Sequence, residues 1–192
     1  RLHSSLPLVV ATGLMLSMIG ETTAADIFPD KALQEVIRNI LKKKQAKTDK
    51  IAEADLKNIF NLTATGKGIV NLTGLEKCPN LALINLAGNK IKDVKTLAGP
   101  KNVQSLDLSK NQIADVAPLA KLNKLQYLQL ENNQIEKVDG LSGLPTLSAL
   151  SLSNNKVKSV APLKGLGKLS SLYLGSNQVS DIKPLKDLKW VA

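Results

Sequence analysis

Apolar positions recur through the larger, C-terminal region of the chain on one fixed spacing. Around Asn111, Leu106 and Leu108 lie five and three residues upstream, and Ile113, Val116 and Leu119 lie two, five and eight downstream. The same frame returns every 22 residues, around Asn89, Asn133, Asn155 and Asn177. A polar residue separates the upstream apolar pair in most copies, as in Ile84-Asn85-Leu86 and Leu128-Gln129-Leu130. That alternation predicts a short, half-buried strand in each copy. A fixed period of this length marks stacked units, none of which buries its apolar side alone. Pro118, Pro162 and Pro184 share one column, which Thr96 and Gly140 complete. Proline suits the first position of a helical turn, where no N–H is needed, so short turns rather than long helices are expected behind the strands.

A worn copy precedes the regular ones. One period back lie Ile59, Leu62, Ala64, Ile69, Leu72 and Leu75, with Lys67 in place of the asparagine. An atypical terminal unit is expected, because one of its sides does not face a sibling. At the other end, Val191 falls where a seventh strand would begin. Cys78 shares its column with Leu122, Leu144, Leu166 and Leu188, so it reads as a small buried apolar side chain rather than a reactive thiol.

Residues 26–60 follow a different rule. Leu33, Val36, Ile37, Ile40 and Leu41 fall on one helical face, Asp30 can cap the start, and Lys42, Lys43 and Lys44 suit the negative end. A second, shorter helix is expected from Glu53 to Phe60, burying Leu56 and Ile59. Together they would cover the apolar end of the first repeat. The basic stretch KKKQAKTDK between them reads as a solvated helix end and loop, and its lone carboxylate, Asp49, excludes an acidic calcium loop. Residues 1–25 read as a secretory signal peptide: Arg1, an apolar run, then Thr23-Ala24-Ala25 as a cleavage site. The run is shorter than the roughly 20 residues needed to span a bilayer. Removal is therefore expected, with no stable membrane insertion afterwards. The domain order is thus signal peptide (1–25), helical N-terminal cap (26–60) and repeats (61–192).

The frame L-x-x-L-x-L-x-x-N-x-I/V matches the leucine-rich repeat. With the segments "IFPDKALQEVIRNIL" and "GIVNLTGLE" and the repeated "N-x-I-x-D-V-x-P-L" phrases, the chain resembles the internalin-like leucine-rich repeat proteins of bacteria. The resemblance implies an α/β solenoid, a right-handed superhelix with parallel strands on its concave face and a short helical N-terminal cap. It also implies a secreted, periplasmic or cell-surface protein that binds other proteins. The asparagine column (Asn89, Asn111, Asn133, Asn155 and Asn177) is expected to satisfy backbone groups at the bend, as a structural ladder rather than a ligand site.

Composition narrows the chemistry. The 192 residues fit one domain; they are 43% hydrophobic, 3% aromatic and carry a formal charge of +10. Cys78 is the only cysteine and His3, inside the leader, the only histidine. That excludes an intramolecular disulfide and, in the mature chain, Ser-His-Asp, Cys-His and histidine-zinc arrangements. No P-loop or dinucleotide fingerprint is present. Asp107 and Glu131 could face each other as in glycoside hydrolysis, but no deep pocket is expected to raise a pKa. The expectation is no enzyme, no cofactor and no metal.

Residues between the buried positions should point outward on the concave face. One column reads Leu83, Ser105, Tyr127, Ala149 and Ser171; the next reads Asn85, Asp107, Gln129, Ser151 and Tyr173; a third reads Ala87, Ser109, Glu131, Ser153 and Gly175. Both tyrosines of the chain lie here and no Lys or Arg does. A nucleic-acid groove needs cations on the contacting face, so nucleic acid is excluded as its ligand. The expected ligand is a protein or peptide, bound by a monomer. Tyr127 and Tyr173 would anchor it, and Asp107, Gln129, Glu131, Ser105 and Ser151 would supply polar contacts. Polysaccharide or cell-wall binding, and a structural spacer within a larger surface protein, are the alternative readings.

Overall fold

The structure, a computed structural model, describes residues 27–43 and 51–188. The expected signal peptide, most of the basic stretch and the start of a seventh strand lie outside these residues. Among the described residues an α-helix, α1 (Lys31–Lys43), precedes six three-residue strands. These are β1 (Asn61–Thr63), β2 (Leu83–Asn85), β3 (Ser105–Asp107), β4 (Tyr127–Gln129), β5 (Ala149–Ser151) and β6 (Ser171–Tyr173). They form one parallel sheet in chain order, and each strand pairs with the residues one repeat later: Leu62 with Ile84, Ile84 with Leu106, and onward to Leu172. The worn copy is therefore a full rung, although Lys67 replaces its asparagine.

Short 3₁₀ turns form the back, including Lys95–Ala98, Ala117–Lys121, Ala161–Gly165 and Lys183–Leu185. Proline opens the last three of these. An acceptor two residues before each of these turns closes its first bend: Asp93, Asp115 and Asp181 take the backbone N–H of Lys95, Ala117 and Lys183 at 2.8–2.9 Å, and Ser159 Oγ takes that of Ala161 at 3.3 Å. Turns at the back need more room per rung than strands spaced about 4.8 Å apart, so the stack bends with its sheet on the inside.

The core is one continuous aliphatic stack. Leu86, Leu108, Leu130 and Leu152 are wholly buried, as are Ile91, Ile113, Ile135 and Val157. The burial fails at the last rung. Ile182 belongs to the column of Val94, Val116, Val138 and Val160, yet it is 68% exposed, and Leu174 and Val179 are only half-buried. Every earlier member is sandwiched between two rungs; among the described residues these three have a neighbour on one side only.

The cap departs from expectation in one respect. The segment Glu53–Asn58 is a 3₁₀ helix that stops short of Phe60, although Leu56 and Ile59 are buried as the pattern predicts. In α1, Leu33, Ile37 and Leu41 are buried and Val36 and Ile40 lie at the rim. Ile27 and Phe28, ahead of the helix, also join the core. They press against Gly74, whose φ is +104° and where a Cβ would fall 2.4 Å from the Ile27 carbonyl oxygen. Only glycine fits that turn, and the contact locks cap to first repeat.

Asp30 ties the same joint. Its Oδ1 accepts from the N–H groups of Ala32 and Leu33 at 3.0 and 3.1 Å, capping α1. Its Oδ2 accepts from Val70 and Asn71 at 2.9 and 3.1 Å, in the first repeat. Burial alone would raise its pKa; the four N–H donors outweigh that and hold the carboxyl below its ordinary value of 3.8. A depressed folded pKa means stability that is complete above the unfolded value and lost as pH falls through the folded one. Asp30→Asn should therefore be less stable than wild type at neutral pH. The gap should close below pH 3.8, as read from urea unfolding midpoints across pH.

Candidate binding face on the inner sheet

The asparagines hold the inner strands to their neighbours. Asn111 Oδ1 accepts the Ile91 N–H of the preceding rung at 3.0 Å, while its Nδ2 donates to the carbonyls of Leu86, Leu108 and Ser109 at 3.0–3.1 Å. Asn133, Asn155 and Asn177 repeat this toward Ile113, Ile135 and Val157. Asn89 takes two donors, the N–H groups of Lys67 and Ile69, both at 3.0 Å. The residue just before each asparagine is left-handed: Gly88, Lys110, Asn132, Asn154 and Ser176 have φ between +55° and +69°. Lysine and serine rarely adopt that conformation, and the sequence pattern does not announce it.

On this frame two outward rows run across the strands. Ser105 pairs with Tyr127, which pairs with Ala149 and then Ser171; Asp107 pairs with Gln129, then Ser151, then Tyr173. Leu83 and Asn85 of β2, then Asn61 and Thr63 of β1, extend the two rows by two more rungs. Leu83, Tyr127 and Tyr173 are 47%, 53% and 61% exposed, so large apolar surface meets solvent here. Gln129 is exposed, and Ser105, Asp107 and Ser151 are half-buried. No Lys or Arg occurs in either row.

The third expected row does not face outward throughout. Ser109 is buried, because the chain has already begun to bend toward Asn111 at that point. Its N–H and hydroxyl both donate to Asp107 Oδ1, at 2.9 and 2.7 Å. One oxygen of Asp107 thus shapes its own turn and only the other remains for a ligand. In the preceding rung Asn85 has the same role, accepting from the Ala87 N–H and the Thr65 hydroxyl. Glu131 lies two residues past β4, half-buried, with Oε2 withdrawn from solvent and accepting no hydrogen bond among the described residues.

Cys78 is fully buried. Burial, with the nearby Glu76 charge, pushes its thiol up to about 12. That leaves almost no thiolate at neutral pH.

Comparison with known proteins agrees with this geometry. A family model described as leucine-rich repeats, in two copies, matches residues 101–143 and 145–187. The structure is similar to internalin C2 of Listeria monocytogenes, with 35% identity and a TM-score of 0.68, covering 87% of this chain and 83% of that one. The chain belongs to the internalin-like leucine-rich repeat proteins. An internalin (inlF) of the same organism, 29% identical, gives a TM-score of 0.74 over 92% of this chain, which spans only 58% of that protein. A leucine-rich repeat protein of Leptospira interrogans, also 29% identical, gives 0.65 over 71% of this chain and 37% of its own. These matches cover more of the chain than the repeats alone. No described helix is long and apolar enough to cross a membrane.

Proposed function

We propose that the chain is a non-enzymatic, secreted or envelope-located module that binds a protein or peptide on its inner sheet. The observation that carries this reading is the pair of solvent-facing tyrosines on a rigid sheet. Tyr127 and Tyr173 stand two rungs apart in adjacent rows, with Leu83 at the near end and no cation between them. Tyrosine supplies contact area at small entropic cost and keeps a polar tip for hydrogen bonding. Gln129, Glu131, Ser105, Ser151 and the free oxygen of Asp107 surround them with acceptors and donors.

The test is capture of polypeptides from native envelope extract by the immobilised chain, beside a glycan array. Tyr127→Ala with Tyr173→Ala should lower affinity for the captured polypeptide at least about tenfold, since two aromatic anchors contribute more than about 1 kcal/mol each. Both side chains are exposed, so the thermal midpoint should not move. Unchanged affinity, or glycan binding without any captured polypeptide, contradicts the reading.

A further inference from the structure

Among the described residues six large hydrophobic side chains are exposed: Phe60, Val70, Leu83, Tyr127, Tyr173 and Ile182. Ile182 belongs to the open last rung, and Val70 lies in the loop after Lys67, off the sheet. The other four fall along one line. Phe60 stands just ahead of β1, where its carbonyl accepts the N–H groups of Ala82 and Leu83 at 2.8 and 3.2 Å. Leu83 and Tyr127 share a row two rungs apart, and Tyr173 lies two rungs farther on and one row over. The stripe therefore crosses the strands obliquely. With strands about 4.8 Å apart and about 3.3 Å per residue, it runs for about 26 Å.

The stripe has two gaps. Ser105 lies between Leu83 and Tyr127, and Ala149 with Ser151 lies between the two tyrosines; all three are small and half-buried. On the same spacing the centres of the gaps are about 10 Å apart. Same-facing residues of an extended chain repeat about every 6.7 Å, so with one in the first gap the next falls short of the second, against Tyr127. On an α-helix, residues i and i+7 face the same way about 10.5 Å apart, which matches both gaps. The residues between them, i+3 and i+4, then lie over Tyr127 and need to be small.

Charge differs on the two sides of the stripe. Asp107 and Glu131 lie on its asparagine side; Lys124 and Lys168, exposed and three residues ahead of β4 and β6, lie on the other. Lys90, Lys110 and Lys156 stand farther off, next to the asparagines at the bend. A complementary occupant has an apolar face with cations along one side and anions along the other, a distribution that an amphipathic helix provides.

We propose that the stripe seats one amphipathic α-helix of a partner protein, laid obliquely across the strands, with large apolar residues at i and i+7. This rests on the inner sheet's being the binding face, and adds the form of its ligand.

Fluorescence anisotropy of a labelled synthetic helix with the full chain tests it. The probe is a hydrocarbon-stapled peptide of about 18 residues, long enough for the stripe at about 1.5 Å per residue, with leucine at i and i+7, alanine at i+3 and i+4, and lysine and glutamate on opposite flanks. Saturable binding is expected. A stapled peptide of the same composition with its leucines on opposite faces should bind at least about tenfold more weakly, and an unstapled peptide alternating leucine with charged residues no better than that. Ser105→Trp and Ala149→Trp fill the gaps, and each should weaken the stapled helix at least about tenfold by overfilling its seat. Ala114→Trp, exposed beyond the asparagine bend, should not. Equal thermal midpoints confirm that the three variants are folded. Equal binding of the two stapled peptides, tighter binding of the alternating one, or no effect of either gap-filling variant would overturn the helix. If Tyr127→Ala with Tyr173→Ala still lowers affinity for the polypeptide captured from envelope extract, the inner sheet remains the binding face and only its helical ligand is refuted.

Discussion

Leu130→Ala is expected to lower the unfolding free energy by about 2–5 kcal/mol. Leu130 is wholly buried, and its column neighbours Leu108 and Leu152 are equally so. Truncation removes contacts to the rung above and to the rung below, and the backbone cannot collapse into the gap because strands on both sides fix it. Leu188→Ala supplies the contrast. Leu188 is 9% exposed and has a described neighbour on one side only. In a stack whose stability is a sum of units and nearest-neighbour interfaces, a terminal change frays one end while a central one severs both interfaces. The central variant should lose cooperativity as well as stability. The check is urea unfolding of both, comparing midpoint and slope.

Asn111→Ala should cost about 1–3 kcal/mol, although it removes few apolar contacts. The side chain satisfies the Ile91 N–H of one rung together with the Leu86 carbonyl, and closes its own bend through Leu108 and Ser109. Both Asn111 and Ile91 are buried, so a group left behind has no ready access to water. The Leu86, Leu108 and Ser109 carbonyls keep donors from Asn89, Asn133 and Gly88, so the Ile91 N–H is the group orphaned. An unsatisfied buried group of this kind costs about 1–3 kcal/mol. Asparagine alone among small side chains donates and accepts from one amide, so neither Asp nor Leu restores the ladder.

The columns of leucine, isoleucine and valine carried most of the fold because the spacing is the structure: one period is one rung, and Ile84, Leu106, Leu128 and Leu150 stand in register. The Gly74–Phe28 contact and the second grip of Asp30 were not legible, since their partners lie some 40 residues apart in sequence with no shared pattern. The left-handed column was hidden for a different reason. Its occupants Gly88, Lys110, Asn132, Asn154 and Ser176 share no common side-chain chemistry; the asparagine pairs at 132–133 and 154–155 are the local hints. Of the candidate face, alternation correctly placed Tyr127 and Tyr173 outward. It misplaced Ser109, because alternation ends where the strand does and the bend begins.

Native-state hydrogen exchange tests most directly whether the asparagines join the rungs. In the wild type, the amides of Ile91, Ile113, Ile135 and Val157, each bonded to the asparagine of the next rung, should be strongly protected. The Val179 amide, which has no such acceptor among the described residues, should exchange far faster. In Asn111→Ala the Ile91 amide should lose its protection first, and the most protected amides should report the global loss of about 1–3 kcal/mol. Uniform exchange across these five amides, or an Ile91 amide as slow in Asn111→Ala as in the wild type, would contradict the account.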